Sequence, residues 1–204
     1  MNGILVSVIV SFRNEQDVLK ELVSRLHSSL GIVTDRYELI FVNDASTDGS
    51  LELLKTLSEE DPRVKFINMS RTFGVSQCAL AGLAYSSGDA AVTIDADLQD
   101  PPELIPELIE KWREGSDVVY TVRKSRAGEP SVKLTVTHWA YKVLRVTSDI
   151  DLPVESGDFK LISRRVVDEL GQRRDRLART QARIQNLVTF IADGDRSDAV
   201  VTAL

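Results

Sequence analysis

Short apolar runs alternate with segments of helical period through the first three-fifths of the chain. Ile4 to Val10, Tyr37 to Val42, Val64 to Asn68 and Ala90 to Ile94 are runs of strand length, rich in valine, isoleucine and phenylalanine. Val18 to Leu30, Leu51 to Leu57 and Val75 to Tyr85 repeat their apolar positions every three or four residues and predict helices. A fifth strand is predicted at Asp117 to Val122. A helix is predicted to open at Pro101-Pro102-Glu103, where proline in the first turn gives up no hydrogen bond and glutamate meets the positive helix end. Near-continuous apolar strands joined by helices predict an open, mostly parallel α/β sheet flanked by helices. Such a sheet binds its ligands outside the carboxyl ends of its strands.

Polar side chains collect at that edge. The first strand runs into Ser11-Phe12-Arg13-Asn14-Glu15, the second into Asn43-Asp44-Ala45-Ser46-Thr47-Asp48-Gly49, and the fourth into Asp95-Ala96-Asp97-Leu98-Gln99-Asp100-Pro101-Pro102. Residues at steps of two along an extended chain point the same way, so Asp95, Asp97 and Gln99 are expected to converge on one hard cation. Asp44 is a candidate acceptor for the imide hydrogen of a uracil base, whereas Ser46 and Asp48 also fit plain capping of the next helix. An EF-hand is excluded, because its sixth and twelfth positions would be Asp100 and Pro106 in place of glycine and glutamate. The glycine-rich phosphate turns of dinucleotide and P-loop sites are missing, so phosphates are expected to be held through a metal. His27 and His138 lack partners for a metal pair or triad and read as structural.

Beyond Val122 the alternation stops. Arg123-Lys124-Ser125-Arg126-Ala127-Gly128-Glu129-Pro130 reads as an exposed basic loop, followed by a helix over Val132 to Val146 whose Val132, Val136, Trp139 and Val143 suit core packing or a membrane surface. From Gly171 the chain is arginine-rich, and its pattern assigns no structure. A length of 204 residues suffices for one sizeable core, and a net charge of −6 argues against a nucleic-acid partner. The single cysteine, Cys78, excludes a disulfide framework and a thiolate zinc cluster and fits a reducing compartment. The N-terminal pattern is not that of a signal peptide, and no apolar stretch reaches the ~18 residues of a membrane span, so a soluble or peripheral protein is expected.

Taken in order, Ser11 to Glu15, Val42 to Gly49, Arg71-Thr72-Phe73-Gly74, Asp95 to Glu103 and Ser156-Gly157-Asp158-Phe159 resemble glycosyltransferase family 2. Within it the chain is most similar to the polyprenyl-phosphate glycosyltransferases, the dolichol-phosphate mannose synthase and bactoprenol glucosyltransferase group. The resemblance runs from about Ile4 to Leu170. It implies a GT-A fold over residues 1–170 and a separate tail over 171–204. It further implies a nucleotide-sugar donor bound through Mg2+ or Mn2+, with Asp97 and Gln99 as metal-side ligands of a DXD-type motif and Asp95 near the ribose and metal. Glu15 and Asp44 match positions that hold the nucleoside, Ser11 and Arg13 belong to the same donor edge, and Arg71 falls near the nucleotide. Arg123 and Arg126 correspond to a basic region facing the donor and acceptor phosphates.

The expected reaction is inverting transfer of a hexose, UDP-glucose being the favoured donor, to a polyprenyl phosphate at the cytoplasmic face of the membrane. A lipid phosphate is already anionic and needs no strong base, whereas a sugar or protein hydroxyl would need one, for which Asp158 is the candidate. A soluble transferase to such a hydroxyl and a non-catalytic nucleotide-sugar-binding remnant are the two alternatives. The membrane helices of similar enzymes have no counterpart after Arg173-Arg174-Asp175-Arg176, which predicts a truncated or altered C-terminus.

Overall fold

The computed structural model describes residues 3–122 and 156–192. Strands β1 (Val6–Phe12), β2 (Tyr37–Asn43), β3 (Val64–Asn68) and β4 (Ala90–Asp95) alternate with helices α1 (Leu19–Gly31), α2 (Ser50–Glu60) and α3 (Val75–Tyr85). A 3₁₀ turn at Pro102–Leu104 leads into α4 (Ile105–Arg113), then β5 (Val118–Val122), β6 (Ser156–Ser163) and a long α5 (Arg164–Ala192). The chain divides into two compact units between Arg164 and Arg165.

The described strands form one six-stranded sheet in the order β3-β2-β1-β4-β6-β5. β1 runs parallel to both β2 and β4, and β2 runs parallel to β3. β6 is antiparallel to β4 and to β5. Every residue of β1 and β2 is buried, as expected for central parallel strands covered on both faces. Val6, Val8, Val10 and Phe12 share a core with Leu19, Leu22, Leu26 and Leu30 of α1 and with Ile105 and Ile109 of α4. Behind the sheet α3 lies so close that a methyl group on Gly82 would stand 2.3 Å from Ile9 Cγ2.

The expected parallel βα order holds from β1 to β5. β6 is the addition: Phe159 and Leu161, alternating with Lys160, are fully buried and seat this strand between β4 and β5. Gly157 and Asp158 at its start break the apolar pattern by which the other strands are recognised. The arginine-rich stretch to which the sequence pattern assigns no structure is helical through Ala192. Among the described residues no helix is long and apolar enough to cross a membrane. Arg123, Arg126, His138 and the helix expected at Val132 to Val146 lie outside the described residues.

Candidate functional site

The chain winds outward from β1 through β2 to β3 and then returns through α3 to place β4 on the other side of β1, so the strand order reverses and a crevice opens between β1 and β4 at their carboxyl ends. Ser11 and Asp95 are register partners at this point, and Ser11 Oγ donates to Asp95 Oδ1 at 3.4 Å. Ser11 is buried and Asp95 half-buried, while Arg13, Asp97 and Gln99 beside them are exposed.

The backbone here bends sharply. Asn14, Ala45 and Leu98, which follow β1, β2 and β4 within three residues, have φ of 57°, 53° and 58°. Left-handed backbone at non-glycine residues is uncommon, and asparagine tolerates it best. The first two turns are tied together. The Asn14 N–H donates to Ser46 Oγ at 2.9 Å, Asn14 Oδ1 accepts the Thr47 N–H at 2.8 Å, and Gln16 Oε1 accepts the Gly49 N–H at 2.8 Å. The Glu15 N–H donates to Ser50 Oγ and the Gln16 N–H to Asp48 Oδ2, both at 3.2 Å. Asp48 Oδ1 also accepts the Ser50 N–H at the head of α2, from one residue ahead of the Gly49 N-cap.

Glu15 is held at this clasp. Burial first, then the negative charges of Asp97 and Asp48, push its carboxyl above the usual range. The smaller, electrostatic part of that shift comes from acids gathered at the strand edge, whose charge a cation would relieve.

The turn after β4 corrects the geometry expected for the metal ligands. β4 ends at Asp95, and the chain does not continue extended through Gln99. The left-handed Leu98 reverses it, and Asp97 Oδ1 accepts the Gln99 N–H at 3.0 Å. Asp95 and Asp97 are thus brought to one edge by a turn rather than by strand periodicity. Among the described residues no group of three His, Cys, Asp or Glu side chains forms a ready metal cage. Two carboxylates fit the open kind of site in which a divalent ion takes its remaining oxygens from a diphosphate and water.

Asp44, the candidate acceptor for a base, is engaged by backbone donors of the protein itself. It is buried, and its Oδ1 accepts the Phe73 N–H at 2.7 Å while Oδ2 accepts the Gly74 N–H at 3.0 Å. Burial raises the carboxyl, but these two donors, the Cys78 thiol and the Arg13 charge together hold it below the usual range. Its anchored role is to fix the loop between β3 and α3, where Gly74 has a φ of 90° that side chains rarely adopt. That loop carries Arg71, whose guanidinium lies 4.8 Å over the Phe73 ring on the exposed rim. Asp158 belongs to β6. It lies two residues before Lys160, which pairs with Thr93 of β4.

The clasp residues Asn14 and Gln16 and the thiol of Cys78 escape sequence reasoning. Asn14, polar and tolerant of left-handed backbone directly after a strand, carried a usable signal; the other two did not.

The family model described as "Glycosyl transferase family 2" matches residues 7–171. The chain is 45% identical over 185 residues to a glycosyltransferase of Bacillus subtilis, YkcC, covering 91% of this chain and 56% of that one. It is 34% identical over 165 residues to the bactoprenol glucosyl transferase of Shigella phage SfV, covering 81% of this chain and 54% of that one. The chain therefore spans about half the length of the curated relatives it matches. Among solved structures, the Pyrobaculum calidifontis mannosyltransferase in complex with GDP-Man and Mn2+ aligns with a TM-score of 0.58 and 21% identity, over 84% of this chain and 48% of that one. The Mycobacterium tuberculosis glucosyl-3-phosphoglycerate synthase in complex with Mn2+, UDP and phosphoglyceric acid aligns with a TM-score of 0.57 and 20% identity, over 80% and 57%. The fold is that of GT-A glycosyltransferases.

Proposed function

The chain belongs to glycosyl transferase family 2, and from that premise we propose that it moves a hexose, with inversion, from a nucleoside-diphosphate sugar to a polyprenyl phosphate at a membrane face. The observation that carries the donor half is the placing of Ser11, Asp95 and Asp97 at the crevice between β1 and β4, beside a Glu15 carboxyl raised first by burial and then by the Asp97 and Asp48 charges. The lipid half rests on the likeness to bactoprenol glucosyl transferases. UDP-glucose is the proposed donor.

In this reading Asp95 and Asp97, with Gln99, hold a Mg2+ or Mn2+ ion, which neutralises charge on the donor diphosphate when bound. Ser11 orients Asp95 toward it. Asp44 fixes the loop of Arg71, whose guanidinium supplies positive charge on the nucleotide side, and Arg13 adds to the same edge. Arg123 and Arg126 are proposed to steer the donor and acceptor phosphates, a task suited to charge-assisted, bidentate hydrogen bonds. An ionised lipid phosphate attacks the anomeric carbon from the face opposite the leaving diphosphate and has no proton to lose. Rate then comes from alignment and charge stabilisation, without a general base.

A hydroxyl acceptor is the second reading, favoured by an acid, Asp158, in β6 only two residues before Lys160, the register partner of Thr93 in β4. There Asp158 would take the hydroxyl proton, and Asp158→Asn would abolish transfer.

Calorimetric titration of UDP and GDP into the chain, with and without Mn2+, tests the donor site. Binding that requires Mn2+ and is lost in Asp97→Ala is expected, since exposed Asp97 can be truncated without disturbing the core. Binding that ignores both metal and substitution overturns the metal assignment. Radiolabelled glucose passing from UDP-glucose into an organic-extractable lipid, undiminished in Asp158→Asn, is expected of the lipid reading; a water-soluble product would replace it with the second.

A further inference from the structure

Helix α5 carries a pattern that the transfer reaction does not use. Leu170, Leu177 and Ile184 recur every seven residues, and they are 42%, 65% and 55% exposed. At about 100° per residue they drift only slightly and form one narrow stripe along the helix. Arg173 and Arg174 fall on the two margins of that stripe, with Arg176 and Arg183 further round one flank. Asp168, Asp175 and Arg179 fall on the opposite side. From Gly171 to Ala192 the helix holds five arginines and one acidic residue, a local charge of +4 in a chain whose net charge is −6.

We propose that this helix lies on an anionic lipid surface, with the Leu170, Leu177 and Ile184 stripe in the headgroup boundary and the arginines of its margins on lipid phosphates. An apolar stripe bordered by arginine, with a charged far side, is the pattern of a helix resting in the plane of an interface. A second copy paired in parallel across the stripe would bring the Arg173 and Arg174 guanidiniums of both copies together, a repulsion that an anionic lipid surface does not impose. The arginines remain available to phosphates. Arg173 pairs with Glu169 at 2.8 Å and Arg174 meets Asp175 at 3.5 Å, but such exposed pairs contribute little and are readily exchanged for other anions. The proposal extends the lipid-acceptor reading above and rests on it for its biological setting. Its test reads binding alone, so failure here and failure of sugar transfer are separate results.

The test is cosedimentation of the full chain with vesicles of phosphatidylcholine and of phosphatidylcholine mixed with phosphatidylglycerol. Binding to the mixed vesicles at least ten-fold above neutral ones, falling as salt is raised, is expected. The Arg173→Gln/Arg174→Gln variant should lose about five-fold in partition coefficient per arginine, following the energy of a basic residue near an anionic surface. Leu177→Ser/Ile184→Ser should also release the chain from vesicles, and circular dichroism should show both variants as helical as the parent. Equal binding to the two vesicle types, or variants that bind as the parent does, would overturn the proposal. So would sedimentation velocity showing a dimer that Leu177→Ser/Ile184→Ser dissociates, which would assign the stripe to a second copy.

Discussion

Ser11 and Asp95 face one another across the β1 and β4 pairing, the serine hydroxyl donating to the carboxylate at 3.4 Å. This pair closes the sheet at the point where its strand order reverses, so the carboxylate stands at the mouth of the crevice with one lone pair already directed by the fold. The contact is long for an O–H···O bond and guides more than it binds. Asp95→Asn is therefore expected to weaken Mn2+-dependent nucleotide binding at least ten-fold while lowering stability by under about 1 kcal/mol. Ser11→Ala should change affinity about two-fold or less. Calorimetry and urea unfolding on the two variants measure both effects.

Asp44 acts one strand away, as an anchor. Two backbone N–H groups, from Phe73 and Gly74, end on its two oxygens. In Asp44→Asn one of the two oxygens becomes an NH2 group, which cannot accept, so one N–H is left facing a donor. A loss of about 1–3 kcal/mol is expected, with faster hydrogen exchange at Phe73 and Gly74. Burial, and after it the Asp44 charge and hydrogen bond, push the Cys78 thiol up to about 11. Removing the charge should bring that thiol part of the way back toward 9, read from the pH dependence of its alkylation.

The sheet was legible because its buried strands are mostly apolar on both faces, which leaves β1, β2 and β4 as near-continuous apolar runs, broken ahead of their polar carboxyl ends only by the buried Ser7, Glu38 and Thr93. The edge where ligands bind was legible for the same reason, since polarity begins where burial ends. Periodicity failed where the backbone stops being regular. Asp95, Asp97 and Gln99 share spacing in the sequence, but a left-handed Leu98 sets their arrangement, and leucine gives no sign of that conformation. The anchoring of Asp44 depends on a loop 29 residues further along the chain, and no local pattern encodes such a contact. β6 enters between two strands that precede it, a tertiary insertion whose short run Phe159 to Ile162 is too brief to announce itself.

The close approach of α3 to β1 gives a sharper test of packing. A methyl group added at Gly82 would stand 2.3 Å from Ile9 Cγ2 and 3.1 Å from Ile9 Cγ1. Neither can yield easily, because Ile9 lies in a fully buried central strand. Gly82→Ala is expected to cost about 1–3 kcal/mol by overpacking, although alanine favours helix over glycine by about 1 kcal/mol. Ile9→Ala alone should cost about 2–5 kcal/mol through the cavity it leaves. The double variant should be more stable than the sum of the two losses implies, because each change makes room for the other. An additive cycle in urea unfolding would show that the helix shifts away from the sheet instead.

At the other end of the strands, Asp61 and His27 set how stability varies with pH. Arg63 binds Asp61 through its side chain at 2.7 Å and lowers the carboxyl from 3.8 to about 2. A depressed carboxyl stabilises the fold above the unfolded value and ceases to do so as pH falls from about 4 through 2. His27 is depressed too, by burial first and then by the Arg63 charge, against the pull of Asp61. The unfolded chain therefore takes up a proton below pH 6.5 that the folded chain resists, and stability falls on acidification through that range as well. His27→Gln should flatten the upper window and weaken the lower one only slightly, because the His27 charge is the smallest of the contributions that lower Asp61. Asp61→Asn should flatten the lower window and steepen the upper, because His27 loses the one charge that favours its protonated form. Urea unfolding of the three proteins at pH 7, 5.5, 4 and 2.5 separates the windows, and an upper slope unchanged in Asp61→Asn would show that the two groups titrate independently.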